Sequence, residues 1–217
     1  MNRLLEKIGS KNVPQYVPIK VENYSTINNC FYNLIDKVSI DKGKIIYGWK
    51  IHQTKLLLEA ERHAVWKSPS GELVDITPDE EYSDKTLFLE EDNGWTYEGQ
   101  YSDNIRINIT DNPLVDDFIL LCESITKLWQ TGKRKSKVEI EILEPVVNLI
   151  HLLENDKIDR ELFILSNSNR ESNCYCGSLL KYKDCHGQDL KRLYAEMISK
   201  VEEMIKKIPA ANTPYTA

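Results

Sequence analysis

Between residues 174 and 186 the chain reads Cys-Tyr-Cys-Gly-Ser-Leu-Leu-Lys-Tyr-Lys-Asp-Cys-His, and this spacing constrains the fold more than any other stretch. Cys174 and Cys176 flank a single residue, and Cys185 adjoins His186. Three thiols and one imidazole are the donor set of a closed tetrahedral zinc site, in which four protein ligands leave no position open for catalysis. The backbone has to fold back over the metal, and Gly177 stands directly after the first pair, where a turn needs its conformational freedom. Lys181 and Lys183 would offset the negative charge of a three-thiolate centre. A disulfide or redox pair is the other use such thiols have. The expected ligands are Cys174, Cys176, Cys185 and His186, with structural Zn2+ as the cofactor.

Cys174, Cys176, Gly177, Ser178, Lys181, Tyr182, Lys183, Cys185, His186 and Gly187 together resemble the SEC-C motif. That motif is a small zinc knuckle at the C-terminus of the bacterial preprotein translocase ATPase and of many otherwise uncharacterised bacterial proteins. The segment departs from it where Tyr175 replaces Pro and Leu179-Leu180 replace Gly-Lys, which leaves the ligands intact. The resemblance implies a structural metal and a protein-docking surface.

The formal net charge of −6 over 217 residues is not that of a chain built to hold polyanions. The one basic run, Lys133-Arg134-Lys135-Ser136-Lys137, reads as a solvated loop, so nucleic-acid binding is not expected. Cys30 and Cys122 lie far from the metal-spaced cysteines and from each other, a usage that points to a reducing cytoplasm. The first residues carry charges with no apolar leader, and no stretch has the length of a membrane span. The expected location is cytoplasmic.

Periodicity divides the chain at about residue 110. Before it come a short helix with Leu4, Leu5 and Ile8 on one side, then an extended segment set by Pro14 and Pro18. A helix with Phe31, Leu34, Ile35 and Val38 inward follows and is ended by Gly43. Strands are expected over 44–52, 56–66, 72–76 and 86–90, with 97–109 irregular or extended. After it, Asn112 caps and Pro113 starts a helix bearing Leu114, Val115, Phe118, Leu121, Cys122, Ile125 and Trp129. Residues 138–153 alternate at first like a strand, 158–165 read as a helix, and 190–208 as an amphipathic helix. The expected fold is α+β: a domain over 1–110, a helical region over 111–170, and the zinc knuckle with its helix over 171–217.

A hairpin turn, Ser68-Pro69-Ser70-Gly71, follows His63 and precedes Asp75. If the loop is symmetric about Pro69, Trp66 faces Glu72 and His63 faces Asp75, placing a carboxylate beside an imidazole. Cys30 falls in the first turn of a predicted helix, where unpaired N–H groups and the helix dipole favour a thiolate. Thiol, imidazole and acid in this order, with His63-Ala64-Val65-Trp66 and Val74-Asp75-Ile76-Thr77-Pro78, resemble the transglutaminase-like and papain-like cysteine enzymes. The inserted Val65 and the Ile-Thr-Pro order depart from that pattern. Gly48-Trp49 together with the knuckle also resembles an uncharacterised bacterial SEC-C-containing family.

The resemblance implies Cys30 as nucleophile, His63 as general base and acid, and Asp75 as the orienting group. The Cys30 N–H, Trp49, Gln53 and Asn33 are candidates for the oxyanion pocket, and Glu59 or Glu61 for a rival contact to His63. The same residues also have bland readings: Cys30 as a small buried apolar residue, His63–Asp75 as a register-pinning hydrogen bond. Two functions follow. One is a zinc-binding thiol hydrolase or deamidase acting on amide or isopeptide bonds of a protein substrate. The alternative is a non-catalytic zinc-stabilised adaptor that docks a protein partner through its knuckle.

Overall fold

The computed structural model describes residues 1–79, 83–137 and 139–207. Val138, the last residue of the predicted 190–208 helix and the tail beyond it lie outside these. Helices and a mainly antiparallel sheet combine in the expected α+β fold. The chain divides into two compact units, one formed by 1–109 with 134–139 and the other by 110–133 with 140–217, each in its described residues.

The first unit contains α1 (Asn2–Ile8), β1 (Gln15–Pro18), α2 (Cys30–Asp41), β2 (Lys44–Gln53), β3 (Leu57–Lys67), β4 (Leu73–Val74), β5 (Lys85–Glu90) and β6 (Ile105–Asn108). The strands lie in the order β1-β5-β2-β3-β4, with β6 added to β3. Alternation along β2 and β3 sorts their side chains into two faces. Trp49, Ile51, Leu58 and Ala60 pack with Leu4 of α1, and Ala64 packs with Leu34 of α2. Val65 turns the other way, onto Val17 and Phe88. Gly48 is required on that second face, because a Cβ there would lie 2.1 Å from the Leu89 carbonyl and 2.5 Å from the Phe88 ring. The two ends of the strand order meet. Ile19 bridges Asp75 in parallel, with the Lys20 N–H 2.8 Å from the Asp75 carbonyl and the Asp75 N–H 3.0 Å from that of Pro18.

Two local expectations are corrected. In α2 the buried residues are Cys30, Asn33, Leu34 and Lys37, while Ile35 is 47% exposed. Hydrophobicity alone misplaces this face because its polar members are satisfied inside. Asn33 bonds to Thr26 and Thr77, and Lys37 pairs with Glu22 and Asp41 over the Trp66 ring. In the hairpin, Trp66 pairs with Val74 and Lys67 with Leu73, so Trp66 does not face Glu72. The turn centres on Ser70, with the Ser68 N–H 2.8 Å from the Glu72 carbonyl. The displacement is an even number of residues, so every side chain keeps its face.

The second unit packs α3 (Leu114–Trp129), α4 (Glu144–Leu165) and α5 (Leu190–Lys206) around Leu121, Ile125, Leu128, Val146, Ile150, Leu153, Tyr194 and Val201. Asn112 caps α3 as its sequence predicts, its Oδ1 accepting the Leu114 N–H at 3.0 Å. Among the described residues of the alternating run, Ile140–Glu141 form a strand, β8, paired with β7 (Lys133–Arg134). The stretches read as an ambiguous segment and a separate helix are one 22-residue helix, α4. Pro145 stands in its first turn, at a position whose N–H has no helical partner to lose. Among the described residues, no helix is long and apolar enough to cross a membrane.

Candidate functional sites

Asn28 takes a left-handed conformation (φ 60°), a local cost that an asparagine tolerates. Helix α2 then starts at Cys30 with no side-chain cap on its first turn. On β3, the His63 Nε2 lies 2.7 Å from Asp75 Oδ2. Cys30 lines the same cleft as this imidazole and is among the groups that raise its pKa. The acid is held from its other side as well. The Thr77 N–H donates to Asp75 Oδ1 at 3.0 Å, and Asn33 of α2 donates to the Thr77 hydroxyl at 3.2 Å. Helix and hairpin are thereby tied together through the carboxylate that orients the ring.

Burial pushes the His63 imidazole toward its neutral form, but the charges of Asp75 and Cys30 and their hydrogen bonds prevail and hold its pKa well above the ordinary histidine value. Cys30, His63 and Asp75 are only 7%, 6% and 1% exposed, yet all three line one cleft of about 400 Å³. Its wall is aromatic. Phe31 stacks on Tyr97 at 4.1 Å and Tyr32 meets Tyr97 edge-on at 5.8 Å. Burial, then the hydrogen bond to Tyr32, push the Tyr97 phenol up to about 12.

The other sequence candidates fall elsewhere. Trp49, Gln53 and Asn33 do not line the cleft. Trp49 lies beneath the Arg62 guanidinium at 3.7 Å, Gln53 ends β2 exposed, and Asn33 is used up by Thr26 and Thr77. Glu59 bonds to Arg106, Asn104 and His52 rather than to His63, whereas Glu61 does line the cleft. Cys122 is buried on α3. Tyr97 escaped sequence reasoning because it sits in a stretch without periodicity.

In the second unit, Cys174, Cys176, Cys185 and His186 bring one ligand atom each to within 4.8 Å of one another. The Cys176 and Cys185 sulfurs are 3.6 Å apart, and His186 Nδ1 is 3.2 Å from the Cys174 sulfur and 3.4 Å from that of Cys185. A tetrahedron with Zn–S near 2.3 Å and Zn–N near 2.0 Å has edges of about 3.5–3.8 Å. These three separations lie close to such edges, and the sulfur separation is far from a bond of about 2.05 Å. The Ser178 hydroxyl and backbone lower the Cys176 thiol to about 6, the direction a metal-binding thiolate needs.

A small hairpin builds this geometry. The Cys174 N–H bonds to the Leu180 carbonyl at 2.8 Å and the Tyr182 N–H to that of Ser172 at 2.9 Å, before a 3₁₀ turn over Tyr182–Asp184 delivers Cys185 and His186. Gly177 turns the loop with φ 76°. The Lys181 and Lys183 ammonium groups, expected to face the thiolates, instead each lie 2.8 Å from Glu171. Tyr175, which stands where the motif has Pro, has its own use: its hydroxyl donates to Asp156 of α4 and its ring meets Phe163 edge-on.

Leu179, which replaces a motif Gly, sits at φ 63° and is 86% exposed. A side chain in that conformation costs about 1–2 kcal/mol, partly offset by the greater freedom glycine has when unfolded. Leu179→Gly is expected to tighten zinc binding a few-fold, about 0.5–1 kcal/mol net, in competition with a chromophoric chelator.

Comparison with known families finds the SEC-C motif at residues 172–188. Motif and donor set agree on a structural zinc site held by Cys174, Cys176, Cys185 and His186. No curated protein and no solved structure matches the chain.

Proposed function

We propose that the protein is a zinc-clipped thiol hydrolase or deamidase, acting on amide or isopeptide bonds of a protein substrate. In this reading residues 1–110 carry the chemistry, a helical region spans 111–170, and the knuckle region 171–217 docks the substrate. The observation that carries it is the His63 imidazole held by the Asp75 carboxylate at 2.7 Å, with Cys30 lining the same aromatic-walled cleft.

A protonated imidazole beside a thiol favours the thiolate, the nucleophilic form. Cys30 Sγ attacks the scissile carbonyl and a C–S bond forms. Charge on the carbonyl oxygen meets the uncapped first-turn N–H groups of α2, that of Cys30 included. His63 gives its proton to the leaving nitrogen as the C–N bond breaks. It then takes a proton from water, which attacks the thioester and releases the acid and the Cys30 thiolate. Asp75 keeps the ring oriented throughout. Hydrolysis is favoured over crosslinking because no amine-acceptor site is evident among the described residues. A cytoplasmic location, where the thiols stay reduced, suits both nucleophile and metal ligands.

The second reading, a non-catalytic adaptor, is favoured by one observation: all three residues are less than 9% exposed. Site-resolved alkylation separates the two. Near neutral pH, iodoacetamide is expected to modify Cys30 much faster than Cys122, which is comparably buried but is not activated by an imidazole in this reading, and His63→Ala to slow it about 100-fold. A Cys30 that resists the reagent, or reacts equally well without His63, leaves the adaptor.

A further inference from the structure

We propose that Arg134 is a specificity-determining residue that binds a carboxylate of the substrate next to the scissile bond; this rests on the thiol-enzyme reading above. The charges lining the Cys30 cleft are Lys50, Glu61, Arg62, Asp75, Arg134 and the His63 ring. Nearly all of them are balanced locally. Lys50 lies 2.8 Å from Asp79 and faces Glu61 across the β2–β3 ladder. Arg62 pairs with Glu91 and is sandwiched between Trp49 and Trp95. Asp75 holds His63.

Arg134 is the exception among the described residues. Its Nε donates to the Gly99 carbonyl at 3.2 Å, and its Nη1 to those of Ser136 and Lys137 at 3.4 and 3.3 Å. Every one of these acceptors is a main-chain oxygen, so none neutralises the charge. Its Nη2 has no hydrogen-bond partner among the described residues. The guanidinium lies over the Tyr32 ring at 5.9 Å, half-buried, and so is held in place rather than sweeping through solvent. The run read from sequence as a solvated loop therefore contributes a fixed cation to the cleft, and Lys137 fastens it by pairing with Asp36 of α2 at 2.8 Å.

A guanidinium with spare N–H donors and no counter-ion among the described residues is the complement of a carboxylate, which it can hold through two hydrogen bonds. The substrate class is accordingly an amide or isopeptide carrying a free carboxylate close to its reacting carbonyl, as at an acidic residue or a chain end. A neutral substrate would leave the charge unused, and a cationic one would be repelled.

Two alkylating reagents that differ only in charge test this without knowledge of the substrate. The rates at Cys30 are measured by peptide-resolved mass spectrometry with iodoacetate (anionic) and iodoacetamide (neutral). Arg134→Gln keeps donors for the main-chain carbonyls and removes the charge; Arg134→Lys keeps the charge. The ratio of iodoacetate to iodoacetamide rates is expected to fall about tenfold in Arg134→Gln, as for loss of one charge-assisted hydrogen bond. It should stay near the original value in Arg134→Lys, and the iodoacetamide rate should hold in both variants. An unchanged ratio in Arg134→Gln overturns the assignment, whether both rates persist, leaving the thiol reading intact, or fall together, marking a structural arginine. A Cys30 inert to iodoacetamide in the unaltered protein removes the thiol reading and this assignment with it.

Discussion

Removal of zinc is expected to unfold residues 172–188 and leave the sheet of the first unit folded. The reason is the scarcity of other support inside the knuckle. Its regular structure is one antiparallel bridge, Asn173 with Lys181, and a three-residue 3₁₀ turn. Among its side chains only Cys174 and Tyr182 are buried, and Leu179 and Leu180 are exposed. A segment this small cannot offset its chain entropy by burial, so the metal supplies the difference, on the order of 10 kcal/mol for such a site. Hydrogen exchange in the presence of a strong chelator is the measurement. Amides of 172–188, including those of Cys174 and Tyr182 that bond within the hairpin, should lose protection, while peptides from β2 and β3 keep theirs. Cys185→Ser should behave like the chelated protein. Retained protection in 172–188 after chelation, or metal analysis that finds far less than one zinc per chain, would mean the donors hold no structural metal.

Parts of this architecture were legible in the residues and parts were not, for physical reasons. The metal donors could be read directly because their chemistry and spacing are local: nothing distant is needed to bring 174, 176, 185 and 186 together. The strands were legible because half-buried strands alternate. The hairpin register was missed, yet the faces survived, since Ser68-Pro69-Ser70-Gly71 permits more than one centre and an even displacement conserves side-chain direction. The inward face of α2 was not legible: burial of Asn33 and Lys37 depends on Thr26, Thr77 and Glu22, partners distant in sequence or on another segment. Helix α4 looked like two pieces because Pro145 and the alternating residues before it imitate a break. The place of Arg134 beside the cleft was hidden for the same kind of reason, since a basic loop betrays its surroundings only when the chain returns to Gly99 and Asp36.

Arg160→Ala is expected to destabilise the second unit by about 3–5 kcal/mol, the range for removing one partner from a buried ionic network. Arg160 is 1% exposed, yet it is an arginine in a helical core. Its Nη1 donates to the Asp117 carbonyl of α3 at 3.2 Å, and its Nη2 to Asp156 at 2.6 Å and the Tyr194 hydroxyl of α5 at 3.3 Å. Asp156 in turn accepts the Tyr175 hydroxyl of the knuckle, and the guanidinium lies over the Tyr182 ring at 5.7 Å. One side chain on α4 thus joins two neighbouring helices to the zinc knuckle. Alanine would strand the Tyr194 hydroxyl and the Asp156 carboxylate and open a void where a long side chain was. Arg160→Met fills much of that void and removes the charge, and Asp156, 21% exposed, can recover water. Its loss should therefore be about half that of alanine, since a buried ion pair carries a desolvation cost that an apolar replacement avoids. Hydrogen exchange of α4 and α5 under increasing urea reports the unit directly: the midpoint should fall in both variants, further in Arg160→Ala. Equal, small changes in the two would mean that the network contributes little to stability and that Tyr175 and Phe163 hold the knuckle through ring contact alone.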